Sequence, residues 1–278
     1  MEKQSTMNDF PTRSNIKNLV QTIHDATEIA QRHGVQSWLC YGALLGMVRE
    51  RRLLPWNNDA ELGCWYTSEI NSKVKRITAD LNKRGYTVYY SSTVGTLSVK
   101  QTGAVVNINC FWREGDYAVR PHEEIPSIHQ GYSSIFVRIF YQVGFSMGLY
   151  YDGFITSLRL SKSTKDLSKT VYVGIFRILP CIVRKKLVPF FYKMSQKLGV
   201  VFQKTGIPLH FFETLSTIEF YGNNILVPKN SKELLKVIYG EEWHIPKDDW
   251  SFYKNENKSE TSIMFIDEIW DYSQMEII

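Results

Sequence analysis

The sequence predicts an α/β (α+β) fold, a small mixed sheet flanked by helices and followed by a helical C-terminal region. Three observations predict it. In residues 1–125, stretches with apolar side chains at helical spacing alternate with short strand-like runs. Gly34, Gly85, Gly95 and Gly103 stand at the junctions between them. In the second half, the apolar stretch 173–202 is interrupted by Pro180 and Pro189, which suits helices bent or broken at proline. The chain is therefore divided into a core over 1–125 and a C-terminal helical or mixed region over 126–278 that completes it.

The elements follow in order. Residues 14–33 carry Ile16, Leu19, Val20, Ile23, Ala26, Ile29 and Ala30 on one helical face, with Ser14 to open the helix and Gly34 to end it. Residues 38–41 are a short strand, 43–51 a helix, and 60–66 a second strand. Over 68–83, Ile70, Val74, Ile77 and Leu81 point inward from another helix. Residues 87–90, 96–102 and 104–112 read as strands. The stretch 131–159 mixes aromatic and small residues and suits strands; 231–239 is a helix opened by Ser231, and the chain turns apolar again over 263–270.

Composition bounds the function. The 278 residues suffice for one large domain or two small ones. An apolar share of 44% and a charged share of 22% are those of a globular protein. A net charge of +5 suits phosphate-bearing ligands or an anionic membrane surface and is too weak to argue for nucleic acid. Cys40, Cys64, Cys110 and Cys181 have no zinc-like spacing and read as free thiols in a reducing compartment. The opening MEKQSTMNDF has no apolar signal region, and no uncharged apolar run reaches the ~20 residues of a spanning helix. A cytoplasmic location is expected. The basic stretch 173–204 has two readings: a peripheral contact with the inner membrane face, or core helices with a solvated basic face.

The densest segment is YGALLGMVRERRLLPWNNDAELG, residues 41–63. A helix opening just after Gly42, at Ala43, offers free backbone N–H groups to a phosphate. Asp59 and Glu61, at i and i+2 on a strand, share one face and suit one hard cation. The bland alternative is a pair of solvated charges. Arg49 suits a phosphate equally well as it suits the C-terminal end of its helix. Trp56 suits a nucleobase or, more simply, the core.

The segment resembles the LicD family, which includes fukutin and fukutin-related protein. Tyr41, Gly42, Leu44, Leu45, Gly46, Val48, Arg49, Pro55, Trp56 and Asp59 match the family's block in order. A second block, with Val227, Pro228, Leu235, Tyr239, Gly240, Trp243 and Pro246, matches its closing motif. The resemblance implies a nucleotidyltransferase-like core and a phosphotransferase. Such an enzyme moves a phosphoalkyl group, of the phosphocholine or ribitol phosphate type, from a CDP-activated donor. The acceptor is a glycan hydroxyl, free or lipid-linked. It also implies Mg2+ or Mn2+ held at Asp59 and Glu61, with Gly42, Ala43, Arg49 and Trp56 toward the donor. Asn57 and Asn58 stand where the family has aspartates. So does Asn109, which shares a strand face with Asn107 and would be a weakened third ligand. The rival reading is a non-catalytic member that binds nucleotide, glycan or a partner enzyme. Transfer of a nucleotidyl group is a third.

Overall fold

The computed structural model describes residues 13–55, 59–91, 95–124, 183, 187, 201–246 and 264–269. Helix α1 (Arg13–Arg32) buries Leu19, Ile23, Ala26, Ile29 and Ala30 and ends at Gly34, whose φ of 71° suits a residue without a Cβ. Then follow β1 (Ser37–Cys40), α2 (Tyr41–Glu50), β2 (Asp59–Trp65), α3 (Ile70–Lys83), β3 (Thr87–Ser91), β4 (Thr96–Gln101) and β5 (Ala104–Glu114). Strand β6 (Tyr117–Glu124) closes the first half. The second half supplies β7 (Val201–Pro208), a short α4 (His210–Glu213), the hairpin β8 (Leu215–Phe220) and β9 (Asn223–Pro228), α5 (Ser231–Tyr239) and β10 (Met264–Ile269).

An eight-stranded sheet is organised around β5. Its first part pairs in parallel with β2 and antiparallel with β4; beyond Phe111 it pairs with β6. Strand β1 lies outside β2, β3 outside β4, and β6 continues through β7 to β10. The mixed sheet and its flanking helices are as the sequence predicts.

The pleat separates two chemically distinct faces. One carries Leu39, Leu62, Cys64, Val88, Tyr90, Leu97, Val99, Val106, Ile108 and Cys110, all buried. Helices α1 and α3 cover it. Thr22 of α1 donates to the Gln101 amide oxygen (3.3 Å), and Tyr90 donates to Asn71 of α3 (2.9 Å). Fully burying one aliphatic side chain contributes about 1.5–3 kcal/mol, so this face anchors the fold. The opposite face carries Asp59, Glu61, Asn107, Asn109, Thr96 and Ser98. One end of it is closed by an aromatic group in which Phe212 lies 5.5 Å from Trp38 and 5.6 Å from Phe111.

Differences from the sequence reading have local causes. Helix α2 begins at Tyr41 rather than Ala43, because Tyr41 takes a φ of 46° and turns the chain directly out of β1. Strand β5 runs to Glu114, two residues past the expected end, because β6 pairs with it there. Residues 201 and 202, expected at the end of a proline-bent helix, belong to β7, paired to β6. The rest of 173–200, apart from the helical positions 183 and 187, lies outside the described residues, as do 131–159. Cys40, Cys64 and Cys110 are buried free thiols, as their apolar settings predict; Cys181 is outside the described residues. Among the described residues no helix is long and apolar enough to cross a membrane.

Candidate functional site

The polar face is built by register. Parallel pairing of β2 with β5 sets Glu61 beside Asn107 and Gly63 beside Asn109. Antiparallel pairing with β4 sets Ser98 beside Asn107 and Thr96 beside Asn109. The Ser98 hydroxyl donates to Asn107 Oδ1 at 2.7 Å, and the Thr96 hydroxyl to Asn109 Oδ1 at 2.9 Å. Asn107 and Asn109 share one face, as their i, i+2 spacing predicts, and the β2–β5 register puts it on the side of the acid pair. Gly63 has no side chain because the Trp38 indole fills that space; a Cβ there would lie 2.5 Å from Trp38 Nε1.

Asp59 is exposed at the mouth of the face, while Glu61 is partly buried one pleat deeper. Burial raises the Glu61 pKa above the usual carboxylate range, and the neighbouring Asp59 adds to the rise. The Arg120 guanidinium and the Asn109 amide oppose it. Asn109 is 2% exposed, and among the described residues its Nδ2 has no partner in hydrogen-bonding geometry. The amide stands near enough to Glu61 to favour its charge without bonding it squarely. Which end of the amide faces Glu61 is assigned from the Thr96 bond.

Helix α2 starts beside this face. Its N-cap residue Cys40 is extended and makes no side-chain cap, and Gly42 and Ala43 occupy the first turn. Arg49 lies in the last turn, 10% exposed, bonded through one terminal nitrogen to Glu50 at 2.8 Å. Its Nε is buried and has no partner among the described residues. After Glu50 the chain reverses through Arg51 (φ 57°) and crosses back over Gly46. The Leu53 N–H donates to the Tyr221 hydroxyl at 3.0 Å, so the β8–β9 hairpin pins the return segment. Trp56, Asn57 and Asn58 lie outside the described residues.

Two residues that the sequence reading did not place at the site belong to it. Arg120 on β6 lies against the Tyr41 hydroxyl and within electrostatic reach of Glu61. The signal available was the Glu114-Gly115-Asp116 turn, which marks a hairpin after β5. Tyr239, read as a helix end, has its phenol pKa raised by burial, with Glu61 and Tyr41 adding and Arg49 opposing. Helix α5 thus closes the site from the far end of the chain. His33 bonds Asp80 at 2.9 Å and His24 contacts Asn223 at 3.2 Å, both away from the acid pair.

The donor set can be tested for a cation. Among the described residues no group of three or more His, Cys, Asp or Glu side chains is placed to hold a metal. Two carboxylates on one strand face still fit a small hard cation, whose remaining positions are commonly filled by water and substrate phosphate. Asn109 Oδ1 already accepts from Thr96, and one lone pair remains.

Residues 34–130 match the family described as LicD/FKTN/FKRP, nucleotidyltransferase domain. The chain is similar to an uncharacterized protein of Rickettsia prowazekii (strain Madrid E), 30% identical over 73 residues, covering 26% of this chain and 27% of that protein. A second, from Rickettsia typhi (strain ATCC VR-144 / Wilmington), is 26% identical over 74 residues, covering 27% and 23%. The chain thus spans about a quarter of the length of these curated relatives. Among solved structures, it resembles the solution structure of antibiotic-resistance factor ANT(2'')-Ia at 14% identity, over 66% of this chain and 96% of that one, with a TM-score of 0.29. The crystal structure of ANT(2")-Ia with adenylyl-2"-tobramycin gives 15% identity, 64% and 98% coverage, and a TM-score of 0.28. Scores of this size carry no argument about the fold. The family match covers α2, the acid-bearing β2 and the asparagine-bearing β5, so over residues 34–130 the chain is similar to the LicD nucleotidyltransferase domain.

Proposed function

We propose that the chain is a cation-dependent phosphotransferase that moves a phosphoalkyl group from a CDP-activated donor to a glycan hydroxyl. One geometry carries the reading: Asp59 and Glu61 on one face of β2, opening beside the start of α2 and flanked by Arg120. Asp59 and Glu61 hold Mg2+ or Mn2+, which supplies charge neutralisation at the transferred phosphoryl group. Glu61 binds as the carboxylate, so its raised pKa makes binding release a proton at acid pH. Asn109 orients Glu61, and its amide oxygen would be available as a further ligand if Nδ2 faced Thr96 instead. Gly42 and Ala43 face the donor phosphates through backbone N–H groups, and Arg49 and Trp56 complete the donor site. The transfer forms a bond from the acceptor oxygen to the donor phosphorus and breaks the bond to CMP. The acceptor is free or lipid-linked glycan, met in the cytoplasm or at the inner membrane face.

A second reading has its own observation. The third position is an amide, Asn109, and no third acid stands near the pair among the described residues. A non-catalytic member would bind the donor, a glycan or a partner enzyme without turnover. Calorimetry with CDP-choline and CDP-ribitol, with and without Mg2+, tests the donor site in the native chain and in Asp59→Ala. Cation-dependent binding lost in the variant supports it. Binding without CMP release in the presence of acceptor favours the non-catalytic reading, and no binding under any condition rejects the donor.

A further inference from the structure

Two arginines at the site hold buried guanidinium nitrogens with no partner among the described residues. Arg49 Nε and Arg120 Nε are both shielded from solvent and meet no hydrogen-bond partner there. They come from distant parts of the chain, the last turn of α2 and the middle of β6. Tyrosines link them: Arg120 lies against the Tyr41 hydroxyl, and Tyr239 stands within reach of Tyr41, Arg49 and Glu61. Arg49 spends one terminal nitrogen on Glu50, and among the described residues Arg120 forms no ion pair. The Arg120 guanidinium carbon is 6.0 Å from the Phe111 ring centroid, so an apolar wall lies on one side of it.

Leaving a buried donor of a charged group unpaired is costly, and such groups are normally satisfied. A planar guanidinium matches two oxygens of a phosphate at once, which an ammonium does not. Arg120 faces Glu61, and Arg49 meets the same tyrosine pair through Tyr239, so an anion-holding side lies next to the carboxylates. We infer that Arg120, together with Arg49, forms an anion subsite that holds a diphosphate directly, independently of any cation at Asp59 and Glu61. The inference rests on reading this face as a phosphate-handling site and adds Arg120 as the residue that fixes the diphosphate at the Tyr41 side.

Inorganic pyrophosphate is the probe, titrated calorimetrically into the full chain in chelator-treated buffer of low ionic strength. The native chain is expected to bind it without metal. Arg120→Gln and Arg49→Gln are expected to bind roughly tenfold to a hundredfold more weakly, the loss of one charge-assisted contact each. Arg120→Lys, which keeps the charge but not the fork, is expected to fall between and guards against a glutamine variant that unfolds. The exposed-helix control Arg76→Gln is expected to bind as the native chain does. Equal binding by native and Arg120→Gln overturns the inference, as does equal weakening in Arg76→Gln, which would mark general charge attraction. Absence of metal-free binding in the native chain also overturns it. Because the probe contains neither cytidine nor metal, failure of the CDP donor leaves this result standing, and failure here leaves the donor test intact.

Discussion

Replacing Gly46 with alanine separates the two forces acting on α2. By helix propensity alone the change stabilises a helix interior by about 1 kcal/mol. The packing opposes it. A Cβ at Gly46 would lie 2.5 Å from the Arg52 carbonyl oxygen and 3.1 Å from the Leu54 nitrogen, both backbone atoms. Neither can rotate away. The carbonyl must retreat by about 0.9 Å, from 2.5 to 3.4 Å, to reach ordinary contact. That movement strains the left-handed turn at Arg51 and the Leu53 bond to Tyr221. Overpacking of this kind costs about 1–3 kcal/mol, and backbone neighbours put it at or beyond the upper end. The net expectation is a loss of about 2 kcal/mol after the propensity gain. For a domain of this size that lowers Tm by roughly 4–8 °C. Thermal and urea unfolding measure it, with Gly85→Ala as the control. There a Cβ meets nothing within 4 Å and only the positive φ of 87° opposes the change, at about 1–2 kcal/mol. A Gly46→Ala variant as stable as the native chain, or more so, refutes the close crossing.

Two further expectations concern pH. Burial raises the Glu61 pKa, so the folded state favours its neutral form; that contribution is present below the ordinary glutamate range and is lost as pH rises through the folded pKa. In chelator, Glu61→Gln is therefore expected to unfold at a higher temperature than the native chain at pH 8, with the advantage vanishing toward pH 4; a disadvantage at pH 8 contradicts it. Asp80 behaves oppositely. Its bonds to Lys83 and then His33 hold its pKa at about 2, so its contribution is present above the usual 3.8 and disappears as pH falls toward 2. Asp80→Asn is expected to lower Tm at neutral pH and to match the native chain at pH 2, which unfolding curves across that range would show or deny.

What was legible in the sequence follows from locality. The faces of α1 and α3 were readable because burial repeats within each segment, and α5 was readable as a helix opened by Ser231. Asp59, Glu61, Asn107 and Asn109 were assigned to common faces because strand alternation is local, and the Thr96 and Ser98 bonds bear the asparagine pair out. Arg120 was not legible, since its place depends on β6 pairing with both β5 and β7, and β7 begins at Val201. Tyr239 comes within electrostatic range of Glu61 only because α5 packs back on α2, which no local period encodes. The early start of α2 rests on a non-glycine residue at positive φ, Tyr41, a conformation that sequence disfavours. Unpartnered nitrogens at Arg49, Arg120 and Asn109 are likewise properties of assembled packing, and they mark the part of the site that composition could not reveal.

The central claim is that the β2 acids hold a cation in contact with the donor's phosphates. Phosphorus NMR relaxation tests it most directly, with CDP-choline bound and Mn2+ titrated in as a paramagnetic probe. The account predicts strong broadening of both donor phosphorus signals with the native chain, and none beyond that of free donor with Asp59→Ala. Equal broadening with both proteins, or a bound donor whose signals Mn2+ leaves untouched in the native chain, would contradict it.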